Sequence, residues 1–215
     1  MEHMENQILI RGSLLWLPEI SHENHGKVFL RFTLEVPRLS GTSDLLPVIA
    51  RQELLSQLDP SSGSQVYVEG QIRSHNVHRE DGRHLQIFLF ASAVSIEDGE
   101  PLNQVTVEGN LCRDPVFRRT PLGREICDVM LAVPRAYHRA DYLPCILWGK
   151  TAQEASLCRT GDRITIHGRL QSRTYQKLTE DGPQQRTAYE VSAMTADIPT
   201  DPLLEPKNLV NSPLS

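Results

Sequence analysis

The sequence predicts an all-β protein with one short helix per domain, built as two small closed barrels in tandem. Three observations carry this expectation. Apolar and polar residues alternate over short runs, the period of a strand with one buried face. Glycine, proline and aspartate punctuate those runs at turn positions. The chain also repeats itself. NQILIRGSL from Asn6 returns as NQVTVEGNL from Asn103, Val36-Pro37-Arg38 as Val133-Pro134-Arg135, and Leu46-Pro47-Val48-Ile49 as Leu143-Pro144-Cys145-Ile146, each 97 positions on. The offset grows to 98 at Gly70/Gly168 and 100 at Ser92-Ala93/Ser192-Ala193, so only small loop insertions separate the copies. A repeat this long means two domains of one fold, since solenoid periods are far shorter.

The elements follow in order. The opening strands read Ile8/Ile10 and Val105/Val107, apolar at every second position. Next, Leu30, Phe32, Leu34 and Val36 alternate with Arg31, Thr33 and Glu35, and the equivalent run carries Cys127, Val129, Leu131 and Val133. A helix is expected from Gln52 to Leu58, stopped by Asp59-Pro60, and from Thr151 to Arg159, with Gly161 just past its end. Later strands read Val66/Val68 and Ile164/Ile166. Each is followed by a glycine, Gly70 or Gly168, the mark of a bulge at a barrel corner. Asp81-Gly82 and Asp181-Gly182 read as hairpin tips. About five strands with a helix between the third and fourth is the order of an OB-fold, a small Greek-key barrel, so the chain reads as two tandem OB-folds. The bounds are 1–98 for the first copy, 99–102 for a linker, 103–198 for the second copy and 199–215 for a Pro-rich tail without periodicity, expected to be disordered.

Composition narrows the function. No apolar run approaches the roughly 18 residues of a membrane helix. The opening MEHMENQ is acidic and is no signal peptide, so a cytoplasmic location is expected. All four cysteines (Cys112, Cys127, Cys145, Cys158) lie in the second copy, form no C-x-x-C pair and read as packing residues. No nucleotide loop, dinucleotide fingerprint or hydrolase motif is present, so no enzyme and no cofactor are expected. His22/His25 and His75/His78 lack further ligands at useful spacing, so no metal is expected either. The net charge of −5 hides an asymmetry. Residues 1–98 carry 8 Lys/Arg against 13 Asp/Glu, a net of −5, whereas residues 103–196 carry 13 against 10, a net of +3. Local charge, not the total, sets attraction to phosphates.

In the second copy, Asn110-Leu111, Arg113-Asp114-Pro115, Arg118, Thr120-Pro121 and Gly123 are followed by Leu131-Ala132, Leu147-Trp148-Gly149-Lys150, Gly161-Asp162 and Gly168-Arg169-Leu170. This ordered set resembles the bacterial single-stranded DNA-binding protein (SSB) family. The first copy resembles it only in outline, and the tail does not. The resemblance implies an OB-fold that holds single-stranded DNA by stacking bases on aromatic side chains. Those aromatic positions fall on Tyr137, Tyr142, Trp148 and Tyr175, with tyrosine at three of them where tryptophan or phenylalanine is usual. Stacking one base on an aromatic contributes about 1–3 kcal/mol, independently of any family. Arg113, Arg118, Arg119, Arg124, Arg135, Arg139, Lys150 and Arg173 interleave with these aromatics and suit the phosphates.

The first copy carries Ser40, Leu45, Arg51 and Val77 at the four stacking positions. Its expected role is mainly structural or that of an assembly surface, with at most weak DNA contact through Arg38, Arg51, Arg73 and Arg79. The family assembles four OB-folds, which implies a homodimer here. The family's interface histidine falls on Leu143, and its acidic C-terminal tip has no counterpart in Asn211-Ser212-Pro213-Leu214-Ser215. The expected function is to coat and protect single-stranded DNA in DNA replication, recombination or repair, with replication or recombination proteins as possible partners. Two other readings stay open: an adaptor of the primosome or replisome acting through protein contacts, and a binder of single-stranded RNA, which shares the stacking physics.

Overall fold

The computed structural model describes residues 5–56, 58, 60–61, 63–79, 82–179 and 182–198. In the first barrel, β1 (Asn6–Leu14), β2 (Glu19–Asn24), β3 (Lys27–Pro37) and β4 (Ser43–Arg51) lead to α1 (Gln52–Leu55), then β5 (Gln65–Arg79) and β6 (Gly82–Ile96). In the second, β7 (Leu102–Leu111), β8 (Val116–Arg119), β9 (Glu125–Arg135) and β10 (Arg139–Trp148) lead to α2 (Gly149–Ala155), then β11 (Arg163–Thr179) and β12 (Gly182–Asp197). Each copy closes on itself. β1 pairs with β5 along its length and with β3 at its far end, and β7 pairs with β11 and β9 in the same way. A short parallel contact, β4 to β6 or β10 to β12, seals the other side.

Alternation decides which face closes inward. Ile8, Ile10 and Leu14 of β1 pack inside with Leu34, Leu46, Val48 and Leu89, and Val105 and Val107 of β7 pack with Leu131, Leu143, Ile166 and Leu170. Burying each such side chain contributes about 1.5–3 kcal/mol relative to exposing it. Leu143, the position to which the resemblance assigns an interface histidine, is a core residue here. At Gly70 and Gly168 the strand register shifts, and a Cβ there would lie 2.3 Å from the Phe90 carbonyl oxygen or 2.1 Å from that of Ser192. Only a residue without a side chain lets the strands cross this closely at the corner.

Three details differ from the pattern-based expectation. Both helices are shorter than predicted. α1 ends at Leu55, and α2 starts at Gly149 and ends at Ala155. Beyond Ala155 the chain continues in tight turns, with the Cys158 N–H donating to the Ala155 carbonyl, and Gly161 sits at φ +96° in the turn before β11 rather than directly behind the helix. Each barrel also has an extra short strand, β2 or β8, that no alternation announces. Their residues are almost all exposed, so no buried face leaves a period in the sequence. Asp59, Asp81, Asp181 and the 199–215 tail lie outside the described residues.

The copies join through backbone and through buried acids. β1 and β7 pair antiparallel from Asn6↔Val107 to Arg11↔Leu102, fusing both barrels into one twelve-stranded sheet. Beside this seam, the buried Asp141 accepts the Ser74 backbone N–H at 2.7 Å and ion pairs with Arg73 at 3.0 Å and Arg135 at 3.3 Å. The Ser74 hydroxyl oxygen accepts the Tyr142 N–H at 2.7 Å. The same device recurs with the copies exchanged. The buried Asp44 accepts the Ser172 N–H at 2.6 Å and ion pairs with Arg38, and the Ser172 hydroxyl oxygen accepts the Leu45 N–H at 3.1 Å. A charge withdrawn from water needs such full satisfaction to persist.

Candidate nucleic-acid interface

β10 sets out the aromatic face of the second barrel. Asp141, Leu143, Cys145 and Leu147 turn inward, so Tyr142 and Trp148 share the outward face at the two ends of the strand. Six residues of strand separate them by about 20 Å. Trp148 is 36% exposed, and its indole N–H donates to the hydroxyl of the buried Ser192 on β12 at 3.0 Å. The ring is thus anchored at one edge and open on the other side. Tyr142 sits at the seam with the first copy through its bond to Ser74.

Tyr175 stands on the long β11–β12 hairpin, opposite Arg186, with the Arg173 guanidinium 5.8 Å from its ring centroid. A cation near an aromatic face is attracted by the ring quadrupole. Tyr137 is 91% exposed at the tip of the β9–β10 hairpin, with φ +62°. A bulky residue in this left-handed region is uncommon, and such strain concentrates at functional sites. The four rings therefore occupy separate stations around the second barrel, and no two of them are in ring contact among the described residues.

The cations divide into three groups. Arg113, Arg124 and Arg139 are exposed and carry no ion pair among the described residues. Arg118 is held by Asp128 at 2.6 Å, Arg119 by Glu125 at 2.7 Å and Lys150 by Glu154 at 3.4 Å. The hydrogen bond to Asp128 raises the Arg118 pKa above its ordinary value, and the bond from Arg119 lowers that of Glu125. Exposed pairs of this kind contribute about 0–1 kcal/mol, so a phosphate can replace the carboxylate at little expense. Arg135 differs, because it shares the buried Asp141 with Arg73.

The first barrel shows the same division. Arg38 and Arg73 belong to the seam, and Arg51 is exposed beside a groove of about 740 Å³ that Phe90, Leu54 and Gln71 also line. The side chains of His78 and Arg79 lie outside the described residues. The sequence shows Phe29 in this copy without a matched role, and its ring contacts emerge only in the structure. His22 stacks on Phe29 with ring centroids 4.7 Å apart and planes 4° from parallel, and Phe90 lies 6.0 Å from Phe29. Phe29 pairs with Arg51 across β3–β4, just as Ile126 pairs with Trp148 across β9–β10. The first copy thus carries its aromatic on the neighbouring strand of the equivalent rung, where Phe29 is buried. The two hairpins also meet, with the Arg186 guanidinium 3.1 and 3.2 Å from the ring nitrogens of His84. Sequence reasoning misses Asp44, Asp141, Ser74 and Ser172. Their one visible signal is that each pair recurs at the repeat spacing.

Comparisons with known proteins identify the family and the fold. The profile of the single-strand binding protein family matches residues 102–198. Single-stranded DNA-binding protein B of Bacillus subtilis is 40% identical over 81 residues, 34% of this chain and 72% of its own length. The single-stranded DNA-binding protein of Thermus aquaticus is 26% identical over 226 residues, 91% of this chain and 84% of its own. The crystal structure of the wild-type Thermus aquaticus protein superposes with a TM-score of 0.76 at 24% identity, covering 95% of this chain and 97% of that one, and so shares the fold. A profile match across the second barrel and a relative matched over most of its length converge on one conclusion: the chain belongs to the single-strand binding protein family.

Proposed function

We propose that the chain binds single-stranded DNA mainly through its second barrel and coats and protects it in replication, recombination or repair. Bases stack on Tyr137, Tyr142, Trp148 and Tyr175. Arg113, Arg118, Arg119, Arg124, Lys150 and Arg173 follow the phosphates, and Arg135 contributes only from the edge of its ion pair. The observation that carries this reading is Trp148, an indole anchored at its N–H to Ser192 while its ring stays accessible on a net basic domain. Membership in the single-strand binding family weighs against the adaptor reading. The first barrel acts as assembly partner, two chains combine to give four barrels, and partner proteins of replication or recombination join on the DNA. Four free cysteines suit a reducing cytoplasm, and no helix among the described residues is long and apolar enough to cross a membrane.

Fluorescence titration with oligo-dT across a salt series tests the proposal. Parent protein is expected to quench, with log affinity falling by roughly 0.7 per phosphate neutralised for each tenfold rise in salt. A Trp148→Ala, Tyr175→Ala double variant should lose most affinity while keeping its fold. Unchanged binding by that variant would return the adaptor reading to the front, and tighter binding to oligo-U would shift the substrate to RNA.

A further inference from the structure

The two barrels form one sheet, and that sheet has two ends. β2 of the first copy lies at one end and β8 of the second at the other. Among the described residues, β2 pairs only with β3 and β8 only with β9, so each offers an outer edge. An open edge is a template for another strand, and proteins usually blunt or cover it. Here both edges are flanked by exposed apolar side chains. Trp16, Leu17 and Ile20 stand at the β2 end, and Val116, Phe117 and Leu122 at the β8 end.

The ends differ in sign. β2 carries Glu19 and Glu23 and no Lys or Arg, and β8 carries Arg118 and Arg119 and no carboxylate. The domains behind them carry the same asymmetry, net −5 over residues 1–98 and net +3 over residues 103–196. Like ends therefore repel and unlike ends attract, which goes further than edge charge as a general guard against aggregation. The internal partners, Arg31 on Glu19 at 2.8 Å, Asp128 on Arg118 and Glu125 on Arg119, are exposed pairs that exchange readily.

We propose that chains associate head to tail, the β2 edge of one against the β8 edge of the next, extending the sheet from molecule to molecule. Because the joined surfaces are different patches, the contact is heterologous and extends chain by chain into a ring or an open row. On a nucleic-acid strand such a row would make coating cooperative, but the junction does not depend on the DNA-binding reading and is measured without DNA.

The test is sedimentation velocity of the full chain at low salt, from micromolar to near-millimolar concentration. The parent is expected to grow beyond a closed dimer as concentration rises. A Glu19→Lys, Glu23→Lys variant has two basic ends and should stop at the dimer or below. An Arg118→Glu, Arg119→Glu variant has two acidic ends and should stop likewise. An equimolar mixture of the two variants pairs unlike ends again and should recover growth. That recovery also answers misfolding as an explanation for the single variants. A parent that never passes the dimer, charge-reversed variants that grow like the parent, or a mixture that stays small would each overturn the proposal. The first of these results would leave the edges to a strand from another protein.

Discussion

Replacing Asp141 with alanine removes the carboxylate that ties the two barrels together. Three partners lose their acceptor at once: the Ser74 N–H at 2.7 Å and the Arg73 and Arg135 guanidiniums at 3.0 and 3.3 Å. Breaking a buried ion pair by deleting one member costs about 3–5 kcal/mol. Arg73 and Arg135 keep 18% and 31% side-chain exposure, so water partly solvates what is left. The orphaned N–H alone costs about 1–3 kcal/mol. The terms overlap, and the expected loss is about 3 kcal/mol for Asp141→Ala. Asp141→Asn keeps an acceptor for Ser74 and loses only the charge, so about half that loss is expected. In a chain of this size, 1 kcal/mol shifts Tm by about 2–4 °C, so the alanine variant should melt roughly 6–12 °C lower. Urea unfolding followed by far-ultraviolet circular dichroism supplies the free energy. Asp44→Ala tests the same device with the copies exchanged and should cost a similar amount. If both alanine variants fall within about 0.5 kcal/mol of the parent, the level of an ordinary surface change, the buried-clamp reasoning is wrong.

Other expectations follow from single contacts. Gly168→Ala forces a Cβ to 2.1 Å from the Ser192 carbonyl oxygen and should destabilise by about 1–3 kcal/mol, measured by the same unfolding curve; a neutral result would mean the corner can relax. Trp148→Phe keeps a stacking face without the bond to Ser192 and should bind oligo-dT far better than Trp148→Ala, whose loss of about 1–3 kcal/mol is some five- to 150-fold in affinity. Burial pushes the Cys127 thiol up to about 11 and raises Cys145 further, so mass spectrometry after brief iodoacetamide treatment of native protein at neutral pH should find both unmodified. Asp114 titrates below its ordinary value of 3.8, chiefly because it accepts the Thr160 backbone N–H and then the hydroxyl. Its stabilisation is therefore complete above that ordinary value and is lost as pH falls through the lower folded value. The difference in melting temperature between parent and Asp114→Asn should be constant at neutral pH and vanish in acid.

Much of the fold was legible because burial leaves a period. Leu34, Val36, Leu131 and Val133 alternate since the inside of a small barrel admits one face of each strand. β2 and β8 left no trace, because exposed strands impose no such period. α2 was displaced as well. The helix begins at Gly149, directly after β10 ends at Trp148, and Gly149 at φ +55° makes the turn between them. At the candidate site, the aromatic residue types were visible while their exposure was not. Arg135 reads as a phosphate ligand in the sequence, whereas its ion pair with Asp141 is visible only in the structure.

What the sequence by itself determined is the duplicated all-β architecture, the family and the contrast between an acidic first copy and a basic second one. Periodicity, repeat spacing and charge are properties of the chain and survive without coordinates. What only the tertiary structure decided is how the copies meet. Ser74 and Asp141 are 67 positions apart, and Asp44 and Ser172 are 128 apart. No local pattern links residues at such separations. Pairing β1 with β7 brings them together, because a strand ladder fixes every neighbour along its length once its register is set.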